Sequence, residues 1–332
     1  MQKNLNFLRI LGLVVGSFFA STLAYSFQPS QKALNGLAGL YSYLSSQDLA
    51  LRRIEQKFPE YGQAVHLAKL EFDSVYPTAL EKTKEKIVQL LGDGRGEDLI
   101  KTLDKNIEAI PNSNNTTTAA INFLQTVANR SKGSIERENI KSFLHAIVFH
   151  ERPEAEMVDR FSRRFSTAGE PKAKGLEVSV RVPQSWEERE GNTPNTIRSW
   201  TSDAGTGLSE LRILIQDFGD RRTKEQIQRA IARKEYDGLL PKGAVVKKIQ
   251  PTQSSNRYGW YADYEMVLQR VDMELFLISR NVTILHEGKR IEIGCASGGL
   301  ISKKEEIQAE ASRVESLCRA FLASLVIDSV FK

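Results

Sequence analysis

The sequence predicts an α+β protein: an all-helical N-terminal domain followed by an antiparallel β-sheet domain flanked by helices. Three observations predict it. Between residues 34 and 150 apolar side chains recur every three or four positions with no strand signal. Between Tyr258 and Ser297 they alternate with a period of two, in three consecutive runs. The last helical stretch then carries an apolar face that needs a sheet to lie on. A chain of 332 residues, 41% hydrophobic and 26% charged, is long enough for two cores and too apolar to be disordered.

At the N-terminus Lys3 and Arg9 make a positive region, Ile10 to Phe19 an apolar one, and Thr22-Leu23-Ala24 or Ala24-Tyr25-Ser26 offers small residues before a cleavage point. Residues 1–26 read as a signal peptide, which makes the protein periplasmic or secreted. The uncharged run from Ile10 to Phe27 also reaches the shortest bilayer span, about 17 residues. The alternative is therefore an inner-membrane anchor with the chain facing the periplasm. No cysteine lies near the cleavage point, which excludes a lipoprotein anchor. The net charge of +5 falls by two when Lys3 and Arg9 leave, and Arg163-Arg164, Arg221-Arg222 and Lys247-Lys248 sit in separate segments among acids. A nucleic-acid binder concentrates its basic residues on one face, so no nucleic-acid partner is expected.

The helical domain, 34–150, opens with Leu37, Leu40, Tyr41, Leu44, Leu51 and Ile54 on one face and stops at Phe58-Pro59. Val65, Ala68, Phe72, Val75 and Tyr76 continue across Pro77 to Ile87 and Leu91, with a kink or break at the proline. Gly92-Asp93-Gly94 closes that helix, Leu99 to Ile110 forms a short one, and Thr117–Arg130 and Ile135–Phe149 form two more. Residues 151–174 turn to charge, Pro and Gly and read as a linker.

The sheet domain, 175–332, starts with the alternating strand Leu176–Pro183, a short strand Thr196–Thr201 and a more buried one, Leu208–Asp217. Thr223–Lys234 is an amphipathic helix, and Ala244–Gln250 returns to strand. In the central stretch Trp260, Ala262, Tyr264, Met266 and Leu268 point to a core face while Tyr261, Asp263, Glu265 and Gln269 face water. Val271, Met273, Leu275 and Leu277 repeat this, and a parity slip near Ser279 to Asn281 suggests a bulge. After a Glu287-Gly288 hairpin turn, Ile291, Ile293 and Cys295 alternate with Arg290, Glu292 and Gly294. Ser302 with Glu305 reads as a capping box, and Ile307 to Leu325 as one helix with a continuous apolar face.

A search for chemistry returns no catalytic residue, cofactor site or metal site. Cys295 and Cys318 are the only thiols. On a straight helix Cys318 lies about 24 Å from the helix start, whereas Cys295 lies about 7 Å from its strand end, so the expectation is two small buried hydrophobes rather than a disulfide. A His286–Cys295 dyad fails on strand length. His145 and His150 are five residues apart and fall on different helix faces, unlike the H-E-x-x-H pair, and read as capping or surface histidines. Gly294-Cys-Ala-Ser-Gly-Gly299 does not match a nucleophile elbow, and there is no phosphate-binding glycine loop.

The strand ending in Pro183, Gln184, Ser185 and Trp186, the loop with Asn192 and Pro194, and the strand Leu211–Gln216 resemble the start of the PsbP-like domain superfamily. That superfamily includes an extrinsic photosystem subunit and a nuclear-import factor that binds the Ran GTPase. The resemblance covers the second half only. It implies an antiparallel sheet between helices and a binding or assembly module without a catalytic signature. The helical half looks like exported bacterial architectures that name no activity. The expected function is thus that of an exported, non-catalytic binding or assembly module with a protein partner, touching a membrane only if the N-terminal segment stays uncleaved. The alternative is a hydrolase with its site between the domains. Trp186, Asn192, Trp200 and Tyr258 are the candidate partner-binding residues, with Trp186 either an interface anchor or a core side chain closing the sheet edge.

Overall fold

The structure is a computed structural model that describes residues 31–158, 160–218, 222–270 and 273–331. The expected signal segment lies outside these, as do Arg221 and Val271. The chain divides into two compact units between Glu151 and Arg152.

The first unit is all helical: α1 (Gln31–Lys57), α2 (Gly62–Val75), α3 (Ala79–Leu91), α4 (Asp93–Glu108), α5 (Thr117–Ser131) and α6 (Glu138–Val148). The long α1 packs on each of the other five, through the buried Leu37, Leu40, Tyr41, Leu44, Leu51 and Ile54 that its sequence spacing marks. Pro77 separates α2 from α3, so the proline breaks the helix rather than kinking it. His145 is fully buried and stacks on Tyr76 at 5.9 Å between ring centres, which corrects its reading as a capping or surface residue.

The second unit starts earlier than the sequence pattern suggests. Residues 151–174, expected to be a linker, carry a 3₁₀ turn at Pro153–Met157 and strand β1 (Ser162–Ser166). β1 pairs antiparallel with β2 (Val178–Pro183), whose other edge takes β10 (Val326–Ile327), giving a three-stranded sheet. The main sheet is seven-stranded and antiparallel. Its order is β3 (Glu187–Glu190), β4 (Thr196–Thr201), β5 (Ser209–Asp217), β9 (Lys289–Leu300), β8 (Met273–His286), β7 (Arg257–Arg270) and β6 (Val245–Ser254). The β8–β9 turn is the expected two-residue one: Glu287 and Gly288 both take positive φ, 50° and 69°, as a type I′ turn requires.

Both faces of this sheet are covered. On the first face Trp200, Leu211, Ile213, Ile215, Ile291, Ile293 and Cys295 pack against β2 and against α9 (Glu315–Ala323). Phe276 and Ile278 meet Ile307 and Ala311 of α8 (Lys304–Arg313). On the second face Trp260, Ala262, Tyr264, Met266 and Leu277 lie under α7 (Lys224–Ala232) and the following loop with Leu239 and Leu240. α7 opens with a capping box between Thr223 and Gln226, whereas α8 has no side-chain cap at Ser302 or Lys303. Ile301–Lys303 turns as a 3₁₀ segment there, and the expected capping box does not form.

Two further readings are corrected. The register of β8 runs without a shift from Met273 to Ile284 against β7 and from Leu275 to His286 against β9, so there is no bulge near Ser279. The parity slip instead marks a change in which face carries the apolar side chains. The C-terminal helix is broken at Val314 into α8 and α9, and this break overturns the straight-helix argument against a disulfide. The chain turns there and lays α9 over β9, where Cys295 and Cys318 form a disulfide across a Cα separation of 5.6 Å. Among the described residues no helix is long and apolar enough to cross a membrane.

Candidate functional site

The alternation of β5, β8 and β9 sends a set of polar side chains to the second face, next to the apolar stripe of β7. Trp260, Thr283, Glu292 and Leu214 are cross-strand neighbours in one row, and Ala262, Asn281, Gly294 and Arg212 in the next. Because α7 and its loop cover this face, charges that a one-sided sheet would leave in water are buried: Arg212 is 5%, Glu292 8% and Arg290 9% exposed.

Buried charges persist only when paired, and here Glu292 is the common partner. Its Oε1 accepts from Arg212 Nη2 at 3.0 Å and Asn281 Nδ2 at 3.2 Å, and its Oε2 accepts from Arg290 Nη2 at 2.6 Å. Asn281 Nδ2 also donates to the Tyr264 hydroxyl at 3.2 Å, and Ser279 Oγ donates to Asn281 Oδ1 at 3.0 Å. Gly294 makes room for this network: a Cβ there would stand 2.4 Å from Asn281 Oδ1. Burial alone would raise the Glu292 carboxyl, but Arg290 and Arg212 outweigh it and hold the group below the usual carboxylate range. Burial and the Glu292 charge push the Tyr264 hydroxyl up.

The network forms the floor of a small pocket of about 30 Å³. Leu239, Leu240 and Pro241 of the loop after α7 stand over it, with Asn195, Leu214 and Gln216 on the opposite rim. Leu240, Pro241, Asn195, Leu214 and Gln216 are half-buried and form the mouth. The loop is pinned by Arg222, which donates to the Asp237 carbonyl at 3.2 Å, and by Tyr258, whose hydroxyl donates to the Arg222 carbonyl at 2.8 Å. The Arg290 guanidinium lies 5.4 Å from the Trp260 ring centre, and its Nε, shut off from solvent, has no hydrogen-bond partner among the described residues. The lining contains no serine, cysteine, histidine or lysine. The arrangement can hold an anionic or hydrogen-bonding group against a guanidinium, and it offers no nucleophile paired with a base.

The residues singled out from the sequence are not brought together. Trp186, 4% exposed, and Trp200, fully buried, belong to the core of the first face, and Trp200 Nε1 donates to Glu188 Oε2 at 3.1 Å. As placed, neither ring is offered to a partner; the loop of Trp186 is held by Glu156, which accepts from the Ser185 backbone and hydroxyl at 2.6 Å each. Asn192 is exposed in the β3–β4 loop. Tyr258 alone of the four bears on the pocket, through its bond to Arg222. Sequence reasoning missed Arg212, Arg290, Glu292 and Asn281. The signal that points to them is two charged residues, Arg290 and Glu292, interleaved with Ile291 and Ile293 on a strand at the sheet's centre.

No family model matches the chain, and no curated protein matches it. Half of the chain is similar in structure to cyanobacterial PsbP (CyanoP) from Synechocystis sp. PCC 6803, with a TM-score of 0.31, 12% identity and coverage of 50% of this chain and 92% of that one. It is also similar to LpqN, involved in cell envelope biogenesis of Mycobacterium tuberculosis, with a TM-score of 0.30, 10% identity and coverage of 50% and 90%.

Proposed function

We propose that this protein is an exported, non-catalytic binding module that receives a protein partner at the pocket of Arg212, Arg290 and Glu292. The observation that carries the reading is the combination of a buried, mutually paired charge network with a half-buried apolar mouth and no nucleophile–base pair in the lining. Such a site orients and neutralises a bound group without transforming it. Export is supported by the signal-like N-terminal pattern and by the Cys295–Cys318 disulfide, which belongs to an oxidising compartment.

The test uses the mouth rather than the floor, because rim residues carry little of the core. Leu240→Arg and Gln216→Arg in the full-length protein should leave the melting temperature within a few degrees of wild type and remove the partners that cross-linking recovers from the envelope fraction. Unchanged recovery with both variants would show that partners dock elsewhere.

A further inference from the structure

We infer that the β6 edge of the main sheet, together with α7 and the loop between them, docks the protein on the surface of an anionic lipid bilayer. This contact goes beyond the pocket, which the same loop borders, and it does not need the N-terminal segment.

Charge marks the surface. Between Arg222 and Lys248 the chain has eight basic and three acidic residues, a net of +5, which equals the net charge of the whole protein. In sequence these residues are spread over a helix, a loop and a strand, and the fold gathers them. α7 packs on β6 and β7 through Ile227, Ala230 and Ile231, with Ile249 of β6 in the same cluster. Lys224, Arg229, Arg233, Lys234, Lys242 and Lys248 are exposed and have no ion-pair partner among the described residues; Lys247 meets Glu265 at 3.4 Å. Positive charge left uncompensated along one edge attracts an anionic surface.

Apolar side chains at the same edge decide which anionic surface fits. Val245, which opens β6, is 59% exposed, and Val267 of β7 is 50% exposed. Val245 pairs with Glu265, so Val267, two residues on, is its diagonal neighbour on the same face, about 7–8 Å away. Lys242 and Lys247 flank Val245 along the chain, and the exposed Met273 stands opposite Arg270. Aliphatic groups set among lysines suit a bilayer: the methyls enter the headgroup boundary, and the lysine stems lie along them and carry the ammonium groups to the phosphates. Single-stranded nucleic acid stacks on aromatic rings, and the one aromatic residue between Arg222 and Lys248, Tyr236, is half-buried. A protein adding a strand to β6 would meet Pro251, which has no N–H, and the register shift between Val246 and Lys248.

The test is sedimentation of the chain without residues 1–26, the form that cleavage leaves, with vesicles of phosphatidylcholine or of phosphatidylcholine mixed with phosphatidylglycerol. The protein should bind the mixed vesicles, bind the neutral ones far more weakly, and come off the mixed ones as salt rises. A basic residue near an anionic bilayer contributes about fivefold in affinity, so replacing Arg233, Lys234, Lys242 and Lys248 by glutamine should weaken binding about a hundredfold or more. Val245→Ser with Val267→Ser should weaken vesicle binding about tenfold and leave binding to polyglutamate unchanged. All the substituted positions are exposed, so both variants should melt within a few degrees of wild type. No binding to the mixed vesicles, equal binding to both kinds, or undiminished binding of the glutamine variant overturns the inference. A serine variant that binds the mixed vesicles as tightly as wild type also overturns it, because the edge then recognises negative charge alone, as an acidic protein would present it.

Discussion

Glu292→Gln removes one negative charge and little volume, and the structure sets its consequence. The substitution leaves Arg212 and Arg290, both at least nine-tenths buried, without the carboxylate they share. Removing one member of a buried ion pair destabilises by about 3–5 kcal/mol, because the remaining charge stays desolvated. For a folding unit of the size of Arg152–Lys332 each kcal/mol moves the midpoint by about 2–4 °C, so the melting temperature should fall by about 6–20 °C. Tryptophan fluorescence in urea is the assay of choice, since all three tryptophans, Trp186, Trp200 and Trp260, lie in this unit and report on it alone. The loss should also depend on pH with a fixed sign. The folded Glu292 carboxyl titrates below the unfolded one, whose ordinary value is about 4.3, so its contribution is whole at neutral pH. It fades as the pH falls through that range and is gone below the folded value, and the gap between wild type and E292Q should close in acid. Replacing Arg212, Arg290 and Glu292 together by leucine should be neutral or stabilising. A loss under about 1 kcal/mol for E292Q, below the usual penalty for an unsatisfied buried group, or one that persists unchanged in acid, would refute the buried-triad reasoning.

Other substitutions probe the frame around the site. Trp186→Ala should cost about 3–5 kcal/mol, as expected for a large core side chain 4% exposed, and a variant of unchanged stability would return Trp186 to the surface. Breaking the Cys295–Cys318 bond by Cys318→Ser should cost about 3 kcal/mol for the loop it closes, and alkylation mass spectrometry of the unreduced protein should find no free thiol at either position. Gly294→Ala places a methyl against Asn281 Oδ1 and should cost about 1–3 kcal/mol in a urea titration; a neutral result would mean that Asn281 swings aside at no penalty.

Much of the frame was legible because its signals are local. The helical spacing of Leu37 to Ile54, the break at Pro77, the Glu287-Gly288 turn and the three strands between Arg257 and Leu300 each follow from a few neighbouring residues. What the sequence did not yield depends on what lies across the sheet. Trp260 and Ile291 each begin a regular apolar stripe, and alternation alone suggests that both stripes face one core. The register puts Trp260 in one row with Thr283 and Glu292, on the face opposite Ile291 and Ile293. Hence both faces are buried, and Arg290 and Glu292, which read as water-facing, are the floor of a pocket. The disulfide was hidden for a similar reason: the break at Val314 falls within an uninterrupted helical pattern, and only the packing of α8 and α9 on different parts of the sheet reveals it.

The central claim is that the pocket on the second face is where this protein binds, and hydrogen exchange tests it most directly. Backbone exchange of the full-length protein should be measured by mass spectrometry with and without the recovered partner. The account predicts slower exchange, with the partner bound, in the loop from Tyr236 to Ala244 and along Leu214 to Gln216, the two sides of the mouth. Protection confined to other segments, with these two unchanged, would contradict it.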